Sequence, residues 1–215
     1  MNETEIAEKI AALLLDIEAI KLSPQQPFKW SSGWLSPVYC DNRLTLSYPD
    51  IRTFIKNAFV ELIKNKYPDT ELIAGVATAG IPQGALIADA LNLPFVYVRS
   101  EAKKHGMTNL IEGHIQTKQK VIVIEDLVST GGSSVKVIEA LKEAGAEVQA
   151  ILAIMTYGFE LARKNFEEKN VTFLALSNYN YVLIEAVKRN LITEQTMASL
   201  QEWRKQPDIW QVSSM

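Results

Sequence analysis

Apolar residues recur at three- and four-residue spacing near the start of the chain, at Ile6, Ile10, Leu13, Leu14 and Ile17, which predicts an amphipathic helix within residues 2–21. Asn2 and Glu5 are spaced as a capping box at its start. Between Leu22 and Tyr48 the periodicity dissolves into Ser, Pro, Gly and aromatic positions, too irregular for one element. Residues of about 1–48 therefore read as a small N-terminal subdomain. Helical spacing returns over Asp50–Lys66, and Pro68 closes it. After that the chain alternates. Apolar runs at Leu72–Ala77, Pro94–Val98, Val121–Ile124, Val148–Met155 and Val171–Leu176 predict short buried strands. Helices are expected at Ile81–Leu91, Ser133–Glu143, Phe159–Glu168 and Tyr179–Asn190, each following a strand. Only Pro94–Val98 is followed by a long polar stretch instead. This alternation predicts an α/β fold with a mostly parallel twisted sheet flanked by helices. Ligands of such sheets bind at the carboxyl ends of the strands. The tail from Thr193 reads as a helix followed by an aromatic anchor, Trp203 and Trp210.

Composition narrows the class. The chain has 215 residues, 47% of them hydrophobic, and 22 Lys plus Arg oppose 25 Asp plus Glu, leaving a net charge of −3. That is enough chain for one domain with a substantial core. No basic stripe is present to neutralise a polymer's phosphates, so a small ligand is expected rather than nucleic acid. The longest apolar runs fall far short of the roughly 20 residues that span a bilayer, so no membrane association is expected. One cysteine, Cys40, and no signal peptide imply a cytoplasmic protein.

The densest chemistry lies in VIVIEDLVSTGGSSVKVIEAL, residues 121–141. A buried strand leads to two acids, and a Thr-Gly-Gly-Ser turn opens a helix. Free amides at a helix start, approached closely past glycines, cradle phosphate. The acids upstream would repel a phosphate but suit neighbouring sugar hydroxyls, each accepting a hydrogen bond, with a metal ion nearby. Ribose 5-phosphate satisfies both halves. A Walker loop is excluded because Gly75–Gly80 is followed by Ile81 and Pro82, and no G-x-G-x-x-G fingerprint occurs.

The segment Val121–Ser134 resembles the 5-phosphoribosyl-1-pyrophosphate (PRPP) signature of type I phosphoribosyltransferases. FKWSSGWLSPVYCDNR, residues 28–43, resembles the N-terminal hood of the orotate-using members, and VRSEAKKHG, residues 98–106, resembles their mobile catalytic loop, here about residues 100–113. The resemblance implies a single domain over residues 1–215, transfer of the phosphoribosyl group from PRPP to orotate with Mg²⁺, and a homodimer with shared active sites. It assigns PRPP binding to Arg99, Lys103, His105, Glu125, Asp126, Leu127, Val128, Ser129, Thr130, Gly131, Gly132 and Ser133, and catalysis to Arg99, Lys103, His105 and Asp126. Orotate falls to Phe28, Ser32, Gly33 and Ser129, helped by Tyr39. Mg²⁺ would be held mainly through PRPP near Glu125 and Asp126, without a dedicated set of protein ligands. The turn Ala77–Ile81 corresponds to a pyrophosphate loop whose contacts are made by backbone amides, with Gly80 permitting close approach. Cations on a glycine-bearing lid suit a leaving pyrophosphate.

The chain departs from the pattern at three points. Ser31 and Ser100 stand where many members carry lysines, and Met155-Thr156-Tyr157-Gly158 offers no counterpart to an arginine that helps hold orotate in some of them. Two other readings share the signature: a purine or xanthine phosphoribosyltransferase, and a non-catalytic regulatory protein that binds PRPP.

Overall fold

The apolar runs pair side by side. In a computed structural model, which describes residues 1–30, 33–99 and 110–210, strands β5 (Leu72–Val76), β6 (Phe95–Val98), β7 (Ile111–Glu112), β8 (Lys120–Val128), β9 (Glu147–Thr156) and β10 (Thr172–Asn178) form one sheet. Its order is β10-β9-β8-β5-β6-β7, parallel throughout except for β7, which runs antiparallel to β6. The mostly parallel sheet expected from the alternation is present. β7 was not expected, because two residues carry no readable period.

The central strands run further than their apolar cores. β8 continues through Glu125 and Asp126 because its ladder with β9 persists, Glu125 opposite Ala153 and Val128 opposite Thr156. Backbone pairing thus extends past the point where hydrophobicity stops, and the two acids lie within the strand rather than beyond its end.

Helices cover both faces. α1 (Glu3–Asp16), α2 (Pro49–Lys66), α3 (Gly80–Leu91), α6 (Tyr179–Lys188) and α7 (Glu194–Lys205) bury Ile10, Leu14, Ile55, Phe59, Ile87 and Leu183 against Ile122, Ile124 and Leu152. α4 (Gly132–Glu143) and α5 (Glu160–Glu168) close the other face over Val121, Val123 and Ile151. The capping box forms as read: Asn2 Oδ1 accepts from Glu5 N, and Asn2 N donates to Glu5, each at 2.9 Å. α1 lies against α6 and β10, and Ser177 Oγ donates to Ala7 O at 2.8 Å, which ties the first helix into the flanking layer. One glycine permits the closest approach in the fold, since a Cβ at Gly80 would collide with the carbonyl oxygen of Ile124. Gly80 thus permits the packing of α3 on β8.

The segment between α1 and α2 holds two small antiparallel pairs. β1 (Ile20–Leu22) pairs with β4 (Val38–Cys40), β2 (Phe28–Lys29) pairs with β3 (Leu35–Ser36), and a 3₁₀ helix, Asn42–Ser47, leads into α2. Two-residue strands are not stable by themselves. An aromatic cluster supplies the missing contacts: Trp30 lies 5.1 Å from Tyr157 and 5.8 Å from Trp203, and Trp203 lies 5.5 Å from Phe159 and 5.4 Å from Tyr179, centroid to centroid. Trp203 Nε1 donates to Leu35 O at 3.1 Å. The anchoring role read for Trp203 therefore has a definite object, the hood.

Trp203 is fully buried, so Trp203→Ala should lower unfolding stability by about 3 to 5 kcal/mol, the range for truncating a large core aromatic. Urea denaturation checks this; a loss below about 1 kcal/mol would show that the cluster does not hold the hood.

Candidate active site

Past Val128 the chain turns through Ser129 and Thr130 into Gly131, which has φ +79°. A side chain there would be strained, and its Cβ would stand 3.0 Å from Phe166 Cζ. α4 starts at Gly132, and its first N–H groups have no acceptor within the helix. The carbonyls of the turn are tied behind it: Val128 O accepts from Thr156 Oγ1 at 3.1 Å and from Tyr157 N at 3.2 Å, and Thr130 O accepts from Asn165 Nδ2 at 2.8 Å. In a trans peptide the N–H points opposite to the C=O. The amides of Ser129 and Gly131 consequently face away from β9 and α5. Gly132 and Ser133 are exposed, and a Cβ on Gly132 would meet only Thr130 Oγ1, at 4.0 Å. The result is an open pocket of amide hydrogens at the positive end of a helix, suited to a phosphate.

The acids stand immediately upstream. Glu125 is only 5% exposed. Its carboxylate accepts from Asp126 N at 3.0 Å and from Ser134 Oγ at 3.3 Å. Burial, followed by the neighbouring Asp126 carboxylate, pushes the Glu125 carboxyl well above the ordinary range. Burial also raises Asp126, the more exposed of the two. Two like charges this close in a dry site favour a proton shared by the pair over two ionised carboxylates. Ligand hydroxyls that donate to the pair would replace that proton as the source of relief.

Asn42 connects the hood to this pair. It is 1% exposed, donates from Nδ2 to Asp126 O at 2.7 Å, and accepts the Cys40 thiol at 3.3 Å. The contact spans 84 positions in sequence, and nothing in the spacing of the CDNR segment reveals it. Ser134, Thr156 and Asn165, which brace the acids and the turn, were missed for the same reason. Phe28 is half-buried with its ring 5.6 Å from Tyr39, and Gly33 is exposed with φ +89°. Ser32 lies outside the described residues.

On the other side of β8, β5 ends in the turn to α3, where Thr78 is exposed, Ala77 and Ala79 are half-buried and the Ala77–Thr78 peptide is cis. Arg99 follows β6, two strands from β8, or about 10 Å across the sheet. Its Nη1 lies 3.4 Å from Glu112 of β7. Lys103 and His105 lie outside the described residues. Of the signature positions, Val128 is buried and Leu127 packs on the core, so both offer backbone alone, whereas Ser129, Thr130, Gly132 and Ser133 keep accessible surface.

The raised acids have a consequence for stability. The folded state binds a proton more tightly than the unfolded one, so this contribution is full below the ordinary carboxylate range and is lost as pH rises through the elevated folded value. Without ligand, Glu125→Gln should gain on the wild type with rising pH, by at most about 1.4 kcal/mol per unit over the range in which the unfolded state has lost the proton and the folded state still holds it. Urea unfolding of both proteins at several pH values between 5 and 8 checks this. Parallel profiles would mean that Glu125 is ionised in the ligand-free protein.

Known proteins share these features. Residues 44–181 match the phosphoribosyl transferase domain family. The chain is 54% identical over 210 residues to an orotate phosphoribosyltransferase of Cytophaga hutchinsonii, covering 98% of this chain and 99% of that one. It is 51% identical to one of Listeria innocua over 205 residues, covering 95% and 98%. The crystal structure of orotate phosphoribosyltransferase from Aeropyrum pernix superimposes with a TM-score of 0.75 at 28% identity, over 86% of this chain and 99% of that one. With a type I phosphoribosyltransferase sheet, an amide cradle beside the acids Glu125 and Asp126 and this similarity along nearly its whole length, the chain belongs to the orotate phosphoribosyltransferases.

Proposed function

We propose that the protein transfers the 5-phosphoribosyl group of PRPP to N1 of orotate, releasing pyrophosphate and orotidine 5′-monophosphate, a step of pyrimidine nucleotide synthesis in the cytoplasm. The observation that carries this is the junction of three parts on one strand end: the amide cradle after Val128, the acid pair Glu125–Asp126, and the hood fastened to that pair by Asn42. The cradle takes the 5-phosphate. The acids accept from the ribose hydroxyls, with Asp126, the more accessible, making the closer contact. The hood closes over the base.

Among the described residues no group of three or more His, Cys, Asp or Glu side chains converges on a metal position. A Mg²⁺ would be held mainly through PRPP, with the carboxylates of Glu125 and Asp126 nearby to favour a cation. When bound, that ion neutralises charge on the diphosphate. The chain's own work is to orient C1 of the ribose toward N1 of the base, exclude water and meet the charge that grows on the departing pyrophosphate. By sequence, Arg99, Lys103 and His105 supply the positive groups for the last task, and we propose that the lid carrying Lys103 reaches the site of the second subunit of a homodimer.

Purified protein with Mg²⁺ and PRPP should consume orotate, followed by its absorbance, and release pyrophosphate in equal amount. Turnover of a purine or xanthine base without orotate activity would overturn the assignment, and PRPP binding without turnover of any base would leave only a regulatory protein. Lys103→Ala should cut kcat by about two to three orders of magnitude with little change in PRPP binding, as expected of a charge used while the bond breaks. Mixing Lys103→Ala with an inactive Asp126→Asn protein should restore activity, because one site per heterodimer then has both native residues. Failure to recover it, with subunit exchange shown by mixed labels, would assign the lid to its own subunit.

A further inference from the structure

Orotate differs from a neutral pyrimidine by one fixed negative charge, a carboxylate on the ring carbon next to N1. Its cation must therefore stand over the strand ends that position C1 of the ribose, not at the far edge of the base. Few described cations meet that condition. Arg43 is engaged by both oxygens of Asp41, at 2.6 and 2.8 Å. Arg99 pairs with Glu112 and sits three strands from β9. Arg163 pairs with Glu160 and Glu167, and Arg189 with Asp16 and Glu185. Lys29 is exposed, and as the strand neighbour of Phe28 it points to the opposite side of the hairpin.

Arg52 and Arg204 each bond a neutral acceptor, but Arg52 donates to Leu46 O at 3.0 Å in the connection to α2, whereas Arg204 borders the chain just beyond β9. Arg204 is half-buried on α7, and among the described residues no carboxylate pairs with it. Its bonded partner is a neutral amide, Asn180 Oδ1, at 3.0 Å from Nη1. A guanidinium has five N–H donors in a planar fork that matches a carboxylate. With one neutral acceptor, Arg204 keeps most of that capacity open to an anion. Its position is set by the aromatic cluster, since the adjacent Trp203 is locked among Trp30, Tyr157, Phe159 and Tyr179. Arg204 Nη1 lies 3.8 Å from the place a Cβ would take on Gly158, an exposed residue just beyond β9 with φ +72°. Gly158 N donates to Thr156 Oγ1 at 3.0 Å, and that hydroxyl donates to Val128 O, where the phosphate turn begins. The guanidinium thus borders Gly158, whose amide leads through two hydrogen bonds to the turn that holds the ribose phosphate. Gly158 has no side chain to stand between them.

We infer that Arg204 is the substrate-binding residue for the carboxylate of orotate, so that the C-terminal helix, through Trp203 and Arg204, both holds the hood and sets the choice of base. This rests on the reading of the protein as an orotate phosphoribosyltransferase. The test compares wild type, Arg204→Gln and Arg204→Lys. Arg204→Gln should raise KM for orotate by about 10- to 100-fold while KM for PRPP stays within about two-fold, and Arg204→Lys should recover part of the loss. Calorimetric binding gives a readout apart from turnover. The wild type should prefer orotidine 5′-monophosphate to uridine 5′-monophosphate, which differ only in the carboxylate, and Arg204→Gln should bring the two affinities within about three-fold. An unchanged preference in Arg204→Gln would overturn the inference. Equal weakening of both nucleotides would also overturn it, because it would make Arg204 a prop for α7. If the wild type itself fails to use orotate, the enzymatic reading falls instead, a result visible before any variant is measured.

Discussion

Two adjacent carboxyl groups, Glu125 and Asp126, occupy the sixth and seventh of nine positions in a strand whose residues Val121–Ile124 are fully buried. Much of the site follows from making that tolerable. Glu125 takes the hydroxyl of Ser134 from the first turn of α4, which fixes where the helix starts relative to the strand. Asp126 has its carbonyl capped by Asn42, which fixes the hood relative to the same strand. Phosphate cradle, sugar site and base cover are in this way referred to one dipeptide. A like-charged pair in a low-dielectric site is unfavourable when both members are ionised. Stability is given up here to keep both carboxyl groups at the end of the strand.

The hood is too small to be ordered by its own strands. Its order comes from Trp30, which reaches into a cluster built from the end of β9, the start of α6 and the C-terminal helix. Parts far apart in the chain therefore meet in one aromatic cluster beside the end of β9. The cluster is apolar and the residues next to it are not: Gly158 and Arg204 lie at its edge, so the side chains that fasten the cover also bring a positive group to the mouth of the site.

The sequence shows the sheet, the order of its helices and the signature turn, because each depends on local periods or on residues contiguous in the chain. Asn2 and Glu5, Gly131, and the strand–acid–turn–helix order of residues 121–141 could all be read directly. Contacts between distant residues could not. Asn42 with Asp126, Thr156 with Val128, Asn165 with Thr130 and Arg204 with Gly158 have no signature within their own segments. Gly80 also has a packing role that its own segment does not reveal, since a Cβ there would collide with the backbone of β8. The lid residues Lys103 and His105 are known from sequence alone.

The central claim is that the ligand-free acid pair retains a proton that the ribose hydroxyls displace. Calorimetric titration with Mg²⁺–PRPP between pH 6 and 8, in buffers of differing ionisation enthalpy, counts the protons exchanged on binding. Subtracting the count for Glu125→Gln removes the ligand's own titration. The wild type should release up to about one proton more than the variant; equal release in the two proteins throughout that range would contradict the account.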